Sequence, residues 1–285
     1  MRFLCILICI LICGCSKTEK TDIFAMDTII SLEVYGTKTS EALEKMNEEI
    51  MRIDEKFSPK SNFVLDETKD ILKISDRVSE LTNGSFDITL GQVMQVWGFR
   101  DGTPGIPEHS DIVSARKEKV YDFGGIAKGY AGDRLSRIAD EYGVSGIFSL
   151  GGNIQAVGTK KDGKPWRVGI ANPENTKDYI GYVEVCDKAV VTSGVYQRFF
   201  EENGKIYHHI IDPKTGYPAD SELLSVTVIA DSGTFADALS TALFVAGKEA
   251  AMELYNSGEI EFEAIFIDRD GNVFETENAC LIRKE

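Results

Sequence analysis

A chain of 285 residues, 43% hydrophobic and 27% charged, holds enough apolar material for a sizeable core, which excludes disorder as its default state. Its net charge of −15 argues against nucleic acid as a partner, because phosphate backbones are gripped by Lys and Arg. An anionic ligand would need local positive charge from a metal ion, a lysine or a helix N-terminus.

Arg2 precedes an uncharged apolar run, Phe3 to Ile12, followed by Cys13-Gly14-Cys15-Ser16. The run is too short to span a bilayer and fits the apolar centre of a signal peptide. Ile12-Cys13-Gly14-Cys15 resembles a relaxed lipobox with Cys15 as the lipidated residue. The reading is a signal peptide over 1–15, a polar tether over 16–24 and one domain over 25–285. The protein is then expected to be a membrane-anchored lipoprotein on the periplasmic or extracytoplasmic face. Cys186 and Cys280, the two cysteines outside this region, are too few for a disulfide scaffold. They form either one bridge or, as preferred here, two free thiols.

Alternation at Ile30, Leu32 and Val34 predicts a strand ending at Gly36. Leu43, Met46, Ile50, Ile53 and Phe57 recur at helical steps, as do Ile71, Ile74, Val78 and Leu81 ahead of an Asn83-Gly84 cap. Gly98 to Pro107 reads as a loop or lid. A third helix carries Ile126, Tyr130, Leu135 and Ile138 and stops at Gly143. Strands are predicted over 146–150, 166–170, 179–185, 206–211 and 223–229, then helices over 233–246 and 248–256. A hairpin is predicted around Asp268 to Asn272. The class is α+β, a single domain with a mixed or antiparallel sheet core flanked by helices.

Three segments carry candidate chemistry. On the helix after Ser232, Asp237, Ser240 and Thr241 share a face, offering one carboxylate and two hydroxyls. That set suits a hard cation such as Mg²⁺, although by spacing alone the hydroxyls equally fit back-bonding to the helix. Asp122-Phe123-Gly124-Gly125 leads into a helix whose first turn holds Lys128, an arrangement suited to a phosphate or to a plain tight turn. In the third, His209 stands on the same side as Ile211 ahead of an Asp212-Pro213 turn and is a candidate proton acceptor. Thr192-Ser193-Gly194 reads as a small-residue turn or a flavin contact.

With these segments in order, the chain resembles the FAD:protein FMN transferase family, the ApbE family. The resemblance rests on Ala25-Met26-Asp27-Thr28, Phe86-Asp87-Ile88-Thr89, Trp97-Gly98-Phe99, Asp122 to Tyr130, Leu150-Gly151-Gly152-Asn153, Thr192-Ser193-Gly194, His209 to Gly216 and Asp237 to Thr241. It implies FAD in a central cleft and Mg²⁺ on Asp237, Thr241 and the Gly125 carbonyl, with Ser240 beside them. It also implies FAD contacts at Met26, Phe57, Trp97, Gly98, Phe99, Asp122, Lys128 and Ile211, and a proton-transfer role for His209. The implied reaction attaches FMN to a Thr of an acceptor redox protein, a membrane electron-transport subunit, and releases AMP. With water as attacker the same site is an FAD pyrophosphatase, and without turnover it is an FAD-binding lipoprotein. Many family members have Gly where Asp27 stands and Ala where Gly125 stands.

Overall fold

The computed structural model of the chain describes residues 16–57, 65–100 and 102–284. Cys15 and the signal region lie outside the described residues. The chain opens with β1 (Lys17–Ala25) and β2 (Thr28–Gly36), then α1 (Thr39–Phe57), α2 (Leu65–Leu81), α3 (Gly91–Val96), α4 (His109–Ala115) and α5 (Ala127–Tyr142). Strands β3 (Ser145–Leu150), β4 (Asn153–Val157), β5 (Trp166–Asn172), β6 (Asn175–Val185) and β7 (Ala189–Gly194) follow. After the hairpin β8 (Phe199–Glu202) and β9 (Lys205–His208) come β10 (Leu223–Ala230), α6 (Gly233–Ala246) and α7 (Lys248–Ser257). The chain ends with β11 (Glu263–Asp268), β12 (Val273–Glu275) and β13 (Ile282–Arg283).

Among the described residues, eight strands form one sheet in the order β1-β2-β3-β4-β7-β10-β11-β12, every neighbouring pair antiparallel. Side-chain alternation divides its middle into two cores. Val191, Val226, Val228, Ala264 and Phe266 face the helices with Ala238, Leu239 and Ala242 of α6. Val190, Ile229 and Ile265 face the other way, onto Trp166, Val168 and Val183 of the small sheet β13-β6-β5. Towards the β1 side, Ile30, Leu32 and Val34 pack on Met46, Ile50 and Ile53 of α1 and on Leu135 of α5. The α+β, antiparallel reading is therefore correct.

Two expectations change. Lys17–Ala25 is not a tether but the sheet's edge strand, paired with β2 along its whole length. Its polar side chains lie on a largely exposed strand, so composition resembled a linker although the backbone bonds are made. The strand expected over 206–211 ends at His208, and Ile211 makes only an isolated bridge to Pro218. Cys186 and Cys280 are free thiols. No helix among the described residues is long and apolar enough to cross a membrane.

Candidate active site

Helices α5 and α6 cross where neither carries a side chain. A Cβ on Gly129 would lie 2.1 Å from the Gly233 carbonyl oxygen, and one on Gly233 would lie 2.7 Å from the Gly129 carbonyl oxygen. Such contacts demand glycine at both positions. Two carboxylates lock the crossing reciprocally. Asp237 of α6 accepts from the Gly129 N–H at 2.8 Å. Asp133 of α5 accepts from the N–H groups of Gly233 (2.6 Å) and Thr234 (3.0 Å) and from the hydroxyls of Ser232 and Thr234. A carboxylate there satisfies orphan donors and opposes the positive end of the helix dipole. Asp133 was not singled out from sequence, since an Asp inside a helix gives no local sign of capping another.

The lock brings the first two sequence segments together. Asp237, Thr241, Gly125 and Lys128 line one cleft of about 1240 Å³ at the end of the sheet where β2, β4 and β7 meet α1 and α5. A Cβ on Gly125 would sit 3.7 Å from Thr241 Oγ1, so the glycine turn lies against the α6 face. Ser240 departs from expectation. It is fully buried, donates to the Asp237 carbonyl at 2.9 Å and shares a bond of 2.8 Å with Ser193. It therefore braces α6 behind the site, the back-bonding alternative, rather than offering a metal ligand. Ser193 lies between the two, also 3.0 Å from Thr241 Oγ1. Thr192 lines the cleft, while its hydroxyl pairs with Thr227 across the sheet at 2.8 Å.

The walls come from distant segments. Met26 and Asp27 form a two-residue turn with φ of +53° and +58°, and the Met26 N–H donates to Asp54 on α1 at 2.8 Å. Both turn residues need the left-handed region, which Gly enters freely and Asp tolerates; this is the physical reason a glycine suits position 27. Phe57, at the end of α1, packs its ring at a tilt against Phe123, centroids 4.9 Å apart, and faces the cleft. The Trp97-Gly98-Phe99 turn divides. Phe99 and Ile211 line the cleft, whereas Trp97 and Gly98 do not. Trp97 is wholly buried, donates to the Gly216 carbonyl at 2.9 Å and packs its ring on Phe99, Tyr207 and Tyr217. At Gly98 (φ +72°) a Cβ would meet the Thr103 carbonyl at 2.4 Å. Both shape the wall from behind.

Asp122 accepts from the Gly124 N–H at 2.8 Å, which fixes the glycine turn, and Lys128 donates to the Gly124 carbonyl at 3.2 Å. Arg100, Arg198 and Gln197 also line the cleft and were not foreseen, since isolated polar residues in loops carry no spacing signal. His209 and His208 point apart. His208 is buried against Phe244, with Nε2 3.1 Å from the Ala219 carbonyl, while His209 lines the cleft. Burial, with the charges of Lys128 and Arg198 nearby, holds the His209 imidazole down at about 3. Its Nδ1 lies 3.2 Å from the Arg198 carbonyl, an acceptor, so Nδ1 carries the proton. That leaves Nε2 with a free lone pair.

No cluster of three or more His, Cys, Asp or Glu side chains suited to a metal occurs among the described residues. Where the glycine turn meets α6, the cleft offers instead the Asp237 carboxylate, the Thr241 hydroxyl and the Gly125 backbone, an all-oxygen, low-charge set of the kind Mg²⁺ takes when water and ligand phosphate complete its shell. The residues fit that ion.

The chain is similar to known proteins over most of its length. The sequence model of the ApbE family matches residues 26–266. The FAD:protein FMN transferase of Vibrio cholerae is 30% identical over 279 residues, 90% of this chain and 81% of that protein. The FAD:protein FMN transferase of Treponema pallidum is 42% identical over 234 residues, 68% of this chain and 64% of its own. Among solved structures, the ApbE protein of Thermotoga maritima superposes with a TM-score of 0.83 at 32% identity, covering 94% of this chain and all of the other.

Proposed function

The chain belongs to the ApbE family and is an FAD:protein FMN transferase, and from that premise we propose how its cleft divides the work. The observation that carries the proposal is the convergence of Asp237, Thr241 and Gly125 on one cleft with Lys128 and a neutral His209. FAD lies along the cleft with its pyrophosphate over the glycine turn. Phe57 and Phe99 offer flat apolar faces to a ring. The Lys128 ammonium, with Arg100 and Arg198 on the same cleft, supplies local positive charge in an otherwise acidic protein.

Asp237, Thr241 and the Gly125 carbonyl would hold Mg²⁺. When bound, it neutralises phosphoryl oxygens as a Lewis acid, a contribution worth several kcal/mol. Asp237 keeps one oxygen on the Gly129 N–H, which fixes the direction of the other. His209, neutral and aligned by its Nδ1–H bond to the Arg198 carbonyl, accepts the proton of the acceptor's threonine hydroxyl at Nε2. The threonine oxygen bonds to the phosphorus on the FMN side, the P–O–P bond breaks and AMP leaves with its electron pair. Water in place of threonine yields free FMN and AMP.

We further propose that Cys15 carries the lipid anchor on the extracytoplasmic side. The folded sheet then begins two residues beyond the anchor, with no tether, and the acceptor is a membrane redox subunit. The test is incubation of the protein with FAD and Mg²⁺, with and without a threonine-bearing acceptor. Acceptor-bound flavin with stoichiometric AMP supports the transferase. AMP release with the acceptor left unlabelled makes the protein a pyrophosphatase.

A further inference from the structure

Gly151 and Asn153 of the Leu150-Gly151-Gly152-Asn153 segment line the cleft. Gly151 and Gly152 have φ of +61° and +103° and close the β3–β4 hairpin, in which Leu150 pairs with Asn153. A Cβ on Gly151 would come within 2.6 Å of Thr28 Oγ1, so the turn lies tight against the start of β2. This packing sets the next side chain. Asn153 is 4% exposed, lines the cleft, and its Nδ2 has no hydrogen-bond partner among the described residues. A buried amide without a partner costs on the order of 1–3 kcal/mol, so its presence on a cleft wall calls for a partner that enters with the ligand.

Register gives its position. Asn153 pairs with Val191, so both point to the helix side, where Val191 packs beneath α6. Ser193, two residues on, shares that face and touches Thr241. Asn153 is therefore the diagonal neighbour of Ser193 and stands beside the Asp237–Thr241 end of the cleft. A half-turn of the amide exchanges its oxygen and nitrogen, and a phosphate, which offers only acceptors, selects the nitrogen. Resting on the transferase reading, we propose that Asn153 is a catalytic residue that donates Nδ2–H to a non-bridging oxygen of the FAD pyrophosphate. The donor strengthens its bond as charge grows on the phosphoryl oxygens.

Gln155 serves as an internal control. It lies two residues along the same face, and its Oε1 is also buried without a partner, but it packs against Gly132 and Gly233 and does not line the cleft. Asn153→Asp and Asn153→Ala should each lower AMP release by about 100-fold. Each should also weaken FAD binding by about tenfold in EDTA, followed by flavin fluorescence. Gln155→Met should leave FAD affinity unchanged. Turnover and affinity of Asn153→Ala within twofold of the unaltered protein would overturn the proposal, as would an equal affinity loss in Gln155→Met. Should Asn153→Asp fail to fold, Asn153→Ala carries the test alone. If the unaltered protein releases no AMP with Mg²⁺ and a threonine-bearing acceptor, the transferase reading itself fails, whereas active protein with indifferent Asn153 variants sinks only this inference.

Discussion

The two sides of the cleft are built on different principles. The α5–α6 side is polar and locked backbone to backbone, with two glycines at the crossing and two carboxylates exchanged between the helices. On another side Phe99 faces the cleft, backed by an aromatic cluster of Trp97, Phe200 and Tyr207 from the loop after α3 and the β8–β9 hairpin. A locked crossing holds oxygen ligands to fractions of an ångström, which phosphoryl chemistry requires. Stacked rings tolerate small displacements and suit a flat ligand held by area.

If that contrast is right, small changes on the locked side should be severe and changes on the wall mild. The largest effect is expected for Gly129→Ala, whose new methyl meets backbone 2.1 Å away. It should cost about 3 kcal/mol or more in thermal denaturation and abolish turnover. Asp237→Asn keeps an oxygen for the Gly129 N–H but removes the charge, so stability should hold while Mg²⁺-dependent AMP release falls by about 10³.

His209 offers a pH test. Because burial holds its imidazole at about 3, the acid limb of kcat/KM should fall below about pH 4 and leave no inflection near 6.5. An acid limb near 6.5 would contradict the burial-depressed imidazole, whereas an acid limb unchanged in His209→Gln would remove His209 as the proton acceptor. Smaller again is Asp133→Ala, which strips the start of α6 of four hydrogen bonds and should cost about 2 kcal/mol. On the wall, Phe99→Ala should raise the KM for FAD by about tenfold and leave kcat nearly unchanged.

Part of this contrast was legible in the sequence and part was not. The helix at Gly233–Ala246 and the side chains of Asp237 and Thr241 follow from 3.6-residue spacing, and the glycine turn from its residue types. The exchange of Ser240 from ligand to brace was not legible. At i+3 and i+4 the two hydroxyls flank Asp237 alike and Ser193 on β7 bonds both, so only the tertiary packing leaves Thr241 on the cleft and Ser240 buried behind it. The aromatic wall needed tertiary contacts spanning more than a hundred residues, as in the bond from Trp97 to Gly216. Strand β1 failed for a different reason: an edge strand with exposed faces shows little hydrophobic alternation over its polar first half.

In the mechanism proposed above, the Asp237 carboxylate, fixed by α5, holds the ion that makes FAD cleavable. Mg²⁺ titrated into the unaltered protein and into Asp237→Asn, each with saturating FAD and a threonine-bearing acceptor, with AMP followed, tests this role. Saturable Mg²⁺-dependent AMP release is expected in the first and a loss of about 10³ in the second, with both proteins melting alike. Equal AMP release from both proteins would contradict it.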